Sequence, residues 1–502
     1  LIDGPGASAA FTSGNGVSHV VVCGGGLAAW MTVATLARQL PDTVRITFAE
    51  IDSDHRCTDL FYGSVSGPGS YAFNLAAGVT EPALVLRSSA AFSWGSKYVH
   101  WAEGGRSWIQ CFNLTLPVID GVLMHQYLVQ QGMARLDPFL LGAVAGSRGT
   151  FAHPPRSPGA AGQQPLARAE YGYHFDPASH ARCFAAAVPP GRIHHLKGAL
   201  TQVTVSDGAI TGIALDGADM VTADLYLDCS GPSAELLSRL DPAWLGGRAL
   251  QISADDVAEA RLGPPVRSVS FHDQGWAAQT PLRGSTRSLT VSDAPASASA
   301  SQDTGGGLSA SATLGRRRCA WAGNCVGIGH AAGIVEPLTP APMMLLERDI
   351  ERLMTLIPVS TASMTVEERE YNRRHGEDHD HAMRFTRALL ETSALPDSDF
   401  WRAARDTPDA ELEHKLAMFA ERGLLVSYDL EPFHPEDWLI MHFGIGRRPR
   451  RHDRLADRAD AKRVRRYLDD AAQQVATAAA ALPSNHVYMT QLERYLRQDP
   501  RK

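Results

Sequence analysis

Three glycine turns mark where this chain could hold a phosphate-bearing ligand. Gly24-x-Gly26-x-x-Ala29 stands between an apolar run, HVVVC, and a helical pattern, LAAWMTVATLARQL. In such a turn the first glycine permits the bend, the second lets backbone approach a pyrophosphate, and the small third residue lets the helix pack closely. The helix N-terminus then faces the phosphates. Glu50 ends a second apolar run, VRITFAE, 24 residues after Gly26. A carboxylate there can accept hydrogen bonds from both hydroxyls of an adenosine ribose. A glycine turn by itself suits any tight bend in an α/β core; strand, helix, spacing and acid together argue for a dinucleotide. Two later segments, ADLYLDCSG at 223–231 and NCVGIGHAAG at 324–333, each read as a strand running into a glycine turn. Such scattered segments make sense if one chain must hold a long flavin dinucleotide.

Positioning these turns requires a β-α-β unit starting at Val17. From 192 to 228 the apolar and polar residues alternate around Asp-Gly pairs at 207 and 216, as in a β-meander ending in a buried strand. Gly, Pro, Ala and Ser dominate 140–165 and 294–312, which read as long surface loops. After about 343 the pattern turns helical. Residues 1–16 lack a basic start and an apolar stretch and read as a disordered leader.

The chain has 502 residues, 44% hydrophobic and 20% charged, enough for two or three globular modules. The net charge of −7 makes no field for nucleic acid or an anionic membrane. No run of about 18 apolar residues suggests a membrane span. Seven cysteines without a C-x-x-C pair suggest neither a disulfide framework nor a zinc ribbon, so a reducing, cytoplasmic location is expected.

The segments VVVCGGGLAAWMTVATLA, YGYHFDPASHARCF at 171–184, ADLYLDCSG, NCVGIGHAAGIVEPL at 324–338, YNRRHGEDHDHAMRF at 371–385 and DFWRAAR at 399–405 occur in the order found in one family. The sequence resembles the flavin-dependent tryptophan halogenases, a branch of the class A flavin monooxygenase fold. The resemblance implies a mixed α/β chain: a Rossmann-like FAD-binding module over 17–355, with interleaved substrate-binding segments at about 78–165 and 240–314. A helical C-terminal region over 356–502 follows. It further implies FAD held by Gly24, Gly26, Ala29, Glu50, Gly329, Gly333, Pro337 and Leu338, an aromatic substrate reached through a tunnel, and a separate flavin reductase. Some family branches act on tryptophan within a peptide or protein, so a macromolecular substrate stays open.

In the family a flavin hydroperoxide oxidises halide to hypohalous acid, which is delivered to a lysine beside the substrate with help from a glutamate. Here Ser93 stands at the lysine's place and Thr339 at the glutamate's. Lys97, four residues on from Ser93, is an imperfect substitute. Halide in the family meets backbone N–H groups just after the glutamate, an anion nest; Pro340 and Pro342 remove two such donors. The family's W-x-W-x-I-P marker is reduced to Trp276 and a proline, and Ala278 would open a barrier between flavin and substrate. These departures favour hydroxylation of an electron-rich indole, pyrrole or phenol. A halogenase using Lys97 and a non-catalytic FAD-binding relative are the rivals.

His330, after Gly329, could hydrogen-bond the cofactor or act as proton donor; a structural histidine is the plain reading. His100 and Trp101 are expected along the substrate channel, and His174 and Asp176 to fix the fold on the FAD side. His375, His379 and His381 could offer imidazoles at i and i+4 to a metal, but the interleaved Glu377, Asp378 and Asp380 argue for a solvated helix, so no metal is assigned. The basic cluster at 447–454 reads as a structural charge network.

Overall fold

The computed structural model describes residues 16–51, 53–155, 165–294, 301–303 and 307–498, those at 301–303 by backbone. The expected leader, Gly16 apart, lies outside these residues. Val20, Val21 and Val22 are wholly buried in succession, which happens when a strand is covered on both faces. Their strand, His19–Gly24, is central in a six-stranded sheet ordered 321–322, 325–327, 225–229, 19–24, 45–51, 194–198, parallel except at the short 321–322 edge. The helix Gly26–Gln39 follows and packs on the helix Pro177–Ala187. Asp224 ties the start of the sheet: its Oδ2 accepts from the backbone N–H groups of Ser18, at 2.8 Å, and His19, at 2.9 Å.

A nine-stranded sheet forms the second layer. Its strands run in the order 301–303, 308–317, 244–258, 285–293, 275–282, 267–272, 95–102, 106–111, with 333–334 joined to 308–317. Sequence-distant segments therefore meet in one sheet: Arg267 pairs with Ser96, and Trp276 with Val291. Helices Ala341–Thr355 and Thr365–Leu390 pack together through buried ion pairs. Arg352 meets Asp349 at 2.8 Å and also Asp378, whose other oxygen takes Arg348 at 2.6 Å.

Four expectations change. The stretch 140–165 is not all loop, since Leu141–Arg148 is a helix; residues 156–164 lie outside the described part. The stretch 294–312 carries the strand Ser301–Asp303 and the start of Leu308–Arg317, their small residues sustained by pairing inside a wide sheet. The strands of 192–228 do not form one meander. Residues 194–198 and 225–229 enter the parallel sheet, while 200–206 and 209–215 make a separate hairpin. Finally, His375, His379 and His381 lie in the core, with at most 8% exposure. Of the interleaved charges, Asp378 is buried and paired with Arg348 and Arg352, whereas Asp380, paired with Arg316, and Glu377, paired with Arg373, stay partly exposed. In the basic cluster, Arg450 and Arg451 pair with Glu421, whereas Arg447 and Arg448 donate mainly to carbonyls.

Candidate active site

A cleft of about 1150 Å³ opens beside the N-terminus of the first long helix. Gly24 lies where the central strands touch: a Cβ on it would come 2.2 Å from the carbonyl oxygen of Cys229. Glycine is therefore required, as the motif predicts. Gly26 and Glu50 line the cleft, and Ala29 is buried in the helix against the sheet. Glu50 Oε2 accepts from His195 Nε2 at 2.9 Å. Arg87, Arg182, Lys197 and Arg287 bring positive charge to the wall. Volume, acid and cations suit an adenine dinucleotide with its pyrophosphate.

Asp59 was not foreseen at this cleft. Its Oδ2 accepts the Leu27 N–H at 2.8 Å, so one first-turn amide of the helix has an internal acceptor. Burial pushes this carboxyl up to about 7. Asp176 also lines the cleft, where it caps the helix Pro177–Ala187 through Ser179 N and pairs with Arg287 at 2.8 Å. His174 is fully buried, with Nδ1 on the Pro281 carbonyl at 3.1 Å.

Gly329, Gly333 and His330 line a separate small cavity with Tyr62, His375 and His379. The His330 ring stacks on Tyr62 at 3.8 Å, and burial lowers its pKa to about 3. The ring is thus neutral near pH 7, with one N–H left to donate. Pro337 and Leu338 form a buried corner. Arg267 Nη2 donates to both of their carbonyls, at 3.0 and 2.7 Å, and Tyr98 OH donates to that of Leu338 at 3.0 Å. Arg267 is the second residue that sequence reading missed. A charged residue on the inward-facing side of the strand Arg267–His272, in step with buried Val269, was the available signal.

Thr339 belongs to this corner. Its Oγ1 accepts from Ala341 N at 3.2 Å, at the start of the helix Ala341–Thr355, and it lines a cavity of about 20 Å³ with Ser96, Tyr98, Gln110, Phe112, Pro340 and Phe385. A neighbouring cavity of about 400 Å³ shares Phe112, Pro340, Phe433 and Asp437 with it and adds Glu170, Glu347, Arg348, Glu351 and His434. Burial raises the carboxyls of Glu347, to about 8, and Asp437, to about 6.

Neither candidate for the lysine role reaches this pair of cavities. Ser93 is wholly buried and turned onto its own chain, accepting from Gly95 N at 3.1 Å. Lys97 sits between Ser96 and Tyr98 on the strand, so its side chain leaves from the opposite face. His100 and Trp101 line none of the cavities described above. His100 is exposed at a positive φ of 57°, with its ring on the Gly105 carbonyl. Trp101 is core, donating to Leu389 O and meeting Trp401 edge-on. Trp276 is buried and donates to Glu336 Oε1 at 2.6 Å. Ala278 is wholly buried between Val269 and Leu289 and lines none of the cavities described above.

Known proteins share the family profile and the fold of this chain. The sequence profile of the family described as tryptophan halogenase matches residues 19–461. Tryptophan 6-halogenase ThaL of Streptomyces albogriseolus is 26% identical over 432 residues, covering 78% of this chain and 80% of ThaL. Tryptophan 7-halogenase KtzQ of Kutzneria sp. is 24% identical over 453 residues, covering 81% and 82%. Among solved structures, BrvH, a flavin-dependent halogenase from Brevundimonas sp. BAL3, superposes with a TM-score of 0.84 at 25% identity, over 95% of this chain and 99% of BrvH. The flavin-dependent halogenase Xcc4156 from Xanthomonas campestris shares the fold with the same TM-score at 24% identity, over 96% and 99%. The mixed α/β fold and the flavoenzyme class expected from sequence are those of these proteins.

Proposed function

Because this chain belongs to the tryptophan halogenase family, a family of flavin-dependent enzymes, we propose that it is an FAD-dependent halogenase of an electron-rich aromatic substrate. The observation that carries this reading is the likeness to BrvH over nearly the whole of both chains, with the dinucleotide turn and its acid in place. Gly24 and Gly26 would let the pyrophosphate approach the helix, Glu50 would accept the ribose hydroxyls, and the cleft cations would offset phosphate charge. Pro337 and Leu338 would hold the shape of the inner end through the Arg267 and Tyr98 contacts, with Gly329 and Gly333 beside them at the small cavity under Tyr62. Reduced flavin supplies the activation of dioxygen when bound.

The chain's own part is positioning. Phe112, Phe385 and Phe433 give the paired cavities aromatic walls against which a planar ring can stack. Four carboxyl groups, Glu170, Glu347, Glu351 and Asp437, face the larger cavity, while its one arginine, Arg348, is spent on Asp378. A neutral or amine-bearing aromatic, free or within a peptide, fits this lining better than a carboxylate. A separate flavin reductase as electron source accords with the family.

Hydroxylation is the second reading. What supports it is the sequence resemblance, in which Ser93, turned onto Gly95, and Thr339, bonded to Ala341 N, would stand where the family carries the amine and carboxylate of halogen transfer. The test is product mass. With a flavin reductase, oxygen, bromide and an indole, the first reading requires a gain of bromine that disappears without bromide. A bromide-independent gain of oxygen establishes the second, and substrate-independent flavin reoxidation defeats both.

A further inference from the structure

We propose that Asp437 is the base that takes the ring proton from an aromatic substrate seated where the two inner cavities meet. The assignment rests on the halogenase reading: putting a halogen on a ring carbon displaces a hydrogen, so a proton acceptor has to stand beside that carbon. The cavities of about 400 and 20 Å³ share Phe112, Pro340, Phe433 and Asp437, and of these four only Asp437 titrates. Glu170, Glu347 and Glu351 line the larger cavity alone. The other polar groups of the smaller one are neutral and weakly basic. Tyr98 OH donates to the Leu338 carbonyl at 3.0 Å, Thr339 Oγ1 accepts from Ala341 N at 3.2 Å, and Gln110 Nε2 donates to the Asp437 carbonyl at 2.8 Å. Ser96 brings only a hydroxyl.

The fold readies this carboxyl. Asp437 is the third residue of the helix Pro435–Ile445, and its Oδ2 accepts the His434 N–H at 2.8 Å. That bond fixes the side chain and leaves Oδ1 with no hydrogen-bond partner among the described residues. No lysine or arginine among them pairs with it. Burial pushes the carboxyl up to about 6, basic enough to take a proton and still ionised in most molecules at pH 7. Phe433, on the shared wall, stacks on Phe385 of the smaller cavity with centroids 3.8 Å apart and planes 13° apart, a flat aromatic surface for the ring. With hypohalous acid as the electrophile, the halogen–oxygen bond breaks as the carbon–halogen bond forms, and hydroxide leaves. Asp437 takes the proton, the C–H electron pair restores the aromatic ring, and hydroxide then collects the proton from Asp437 as water.

The test is Asp437→Asn, which keeps an oxygen for the His434 N–H and removes the base. With a flavin reductase, oxygen, bromide and indole, its bromoindole turnover should fall about 100-fold, the smaller end of what one general base contributes, while its flavin reoxidation rate and melting temperature stay near wild type. Ring-deuterated indole adds a reading that a structural role would not move. Proton loss becomes the slow step in Asp437→Asn, so a primary isotope effect appears there and not in wild type. Asp437→Glu, which restores a carboxyl, should recover part of the rate and lose the isotope effect. Bromination by Asp437→Asn at the wild-type rate, or a slow variant without an isotope effect, overturns the assignment and leaves the halogenase reading standing. No bromination by wild type overturns both. If Asp437→Asn fails to fold, Asp437→Ser, which also keeps an oxygen, is read by the same two measurements.

Discussion

The dinucleotide cleft and the corner at residues 336–342 were built by opposite means. The cleft is wide and fixed by backbone: a glycine pressed against the Cys229 carbonyl, a helix start, an acid at a strand end. The corner is closed and fixed by side chains from remote strands: Arg267, Tyr98 and Trp276 all reach into residues 336–338. A site written in backbone geometry survives sequence change as long as its glycines do. One written in tertiary contacts can change its chemistry by exchanging one long side chain for another.

The sharpest way to break the contrast is Gly24→Ala. The added methyl would meet the neighbouring strand's backbone at 2.2 Å, with φ at 147°. A loss on the order of 4 kcal/mol is expected, because backbone cannot yield as a side chain can. Denaturant unfolding checks it, and a variant within 1 kcal/mol of wild type would mean the cleft tolerates far more than its geometry implies, about the size of an ordinary surface change.

On the corner, Trp276→Phe keeps the ring packing and removes the donor to Glu336 Oε1. Glu336 keeps Arg248, 3.5 Å from its other oxygen, so part of its charge stays compensated. A cost of about 1.5–3 kcal/mol follows for a lost hydrogen bond to a charged acceptor. Urea unfolding should show it with an unchanged slope against denaturant; a neutral result would place the hold on residues 336–338 with Arg267 and Tyr98. Back in the cleft, Glu50→Gln should weaken FAD by roughly tenfold, about 1.4 kcal/mol, while moving the melting temperature of the FAD-free protein little. Quenching of FAD fluorescence reads the first and calorimetry the second. Unchanged affinity would remove Glu50 from the ribose.

How far each region could be read from sequence follows the same division. The strand, turn and helix at 19–39 are adjacent in the chain, so period and spacing announce them. Arg267 and Pro337 are 70 residues apart and meet only through the nine-stranded sheet. Ser93 was singled out as standing at the family's lysine position, yet nothing local shows a serine turned onto its own backbone. Trp101 and His100 were read as channel residues because aromatic and imidazole groups suit a substrate; a left-handed backbone at His100 and a packed tryptophan cluster put them elsewhere. The buried histidines of 375–381 were misread because alternating charge looks like solvent until the arginines of another helix are seen to answer it.

Glu347 lines the larger cavity beside the corner, and its titration gives the finest test. The carboxyl is fully buried, accepts from the Ser70 hydroxyl, and is pushed up from the ordinary 4.5 to about 8 by desolvation. The folded protein therefore holds a proton that the unfolded chain releases above its ordinary pKa. Stability from this group is present in full below about pH 4.5 and is lost as pH rises toward 8, the sign expected for a raised acid. Glu347→Gln holds the neutral form at every pH, so its unfolding free energy should fall less steeply between pH 5 and 8, by up to about one proton in the linkage slope. Parallel pH profiles of the two proteins would show that Glu347 is already ionised in the folded state. The larger cavity would then face its substrate with one more negative charge than its burial allows.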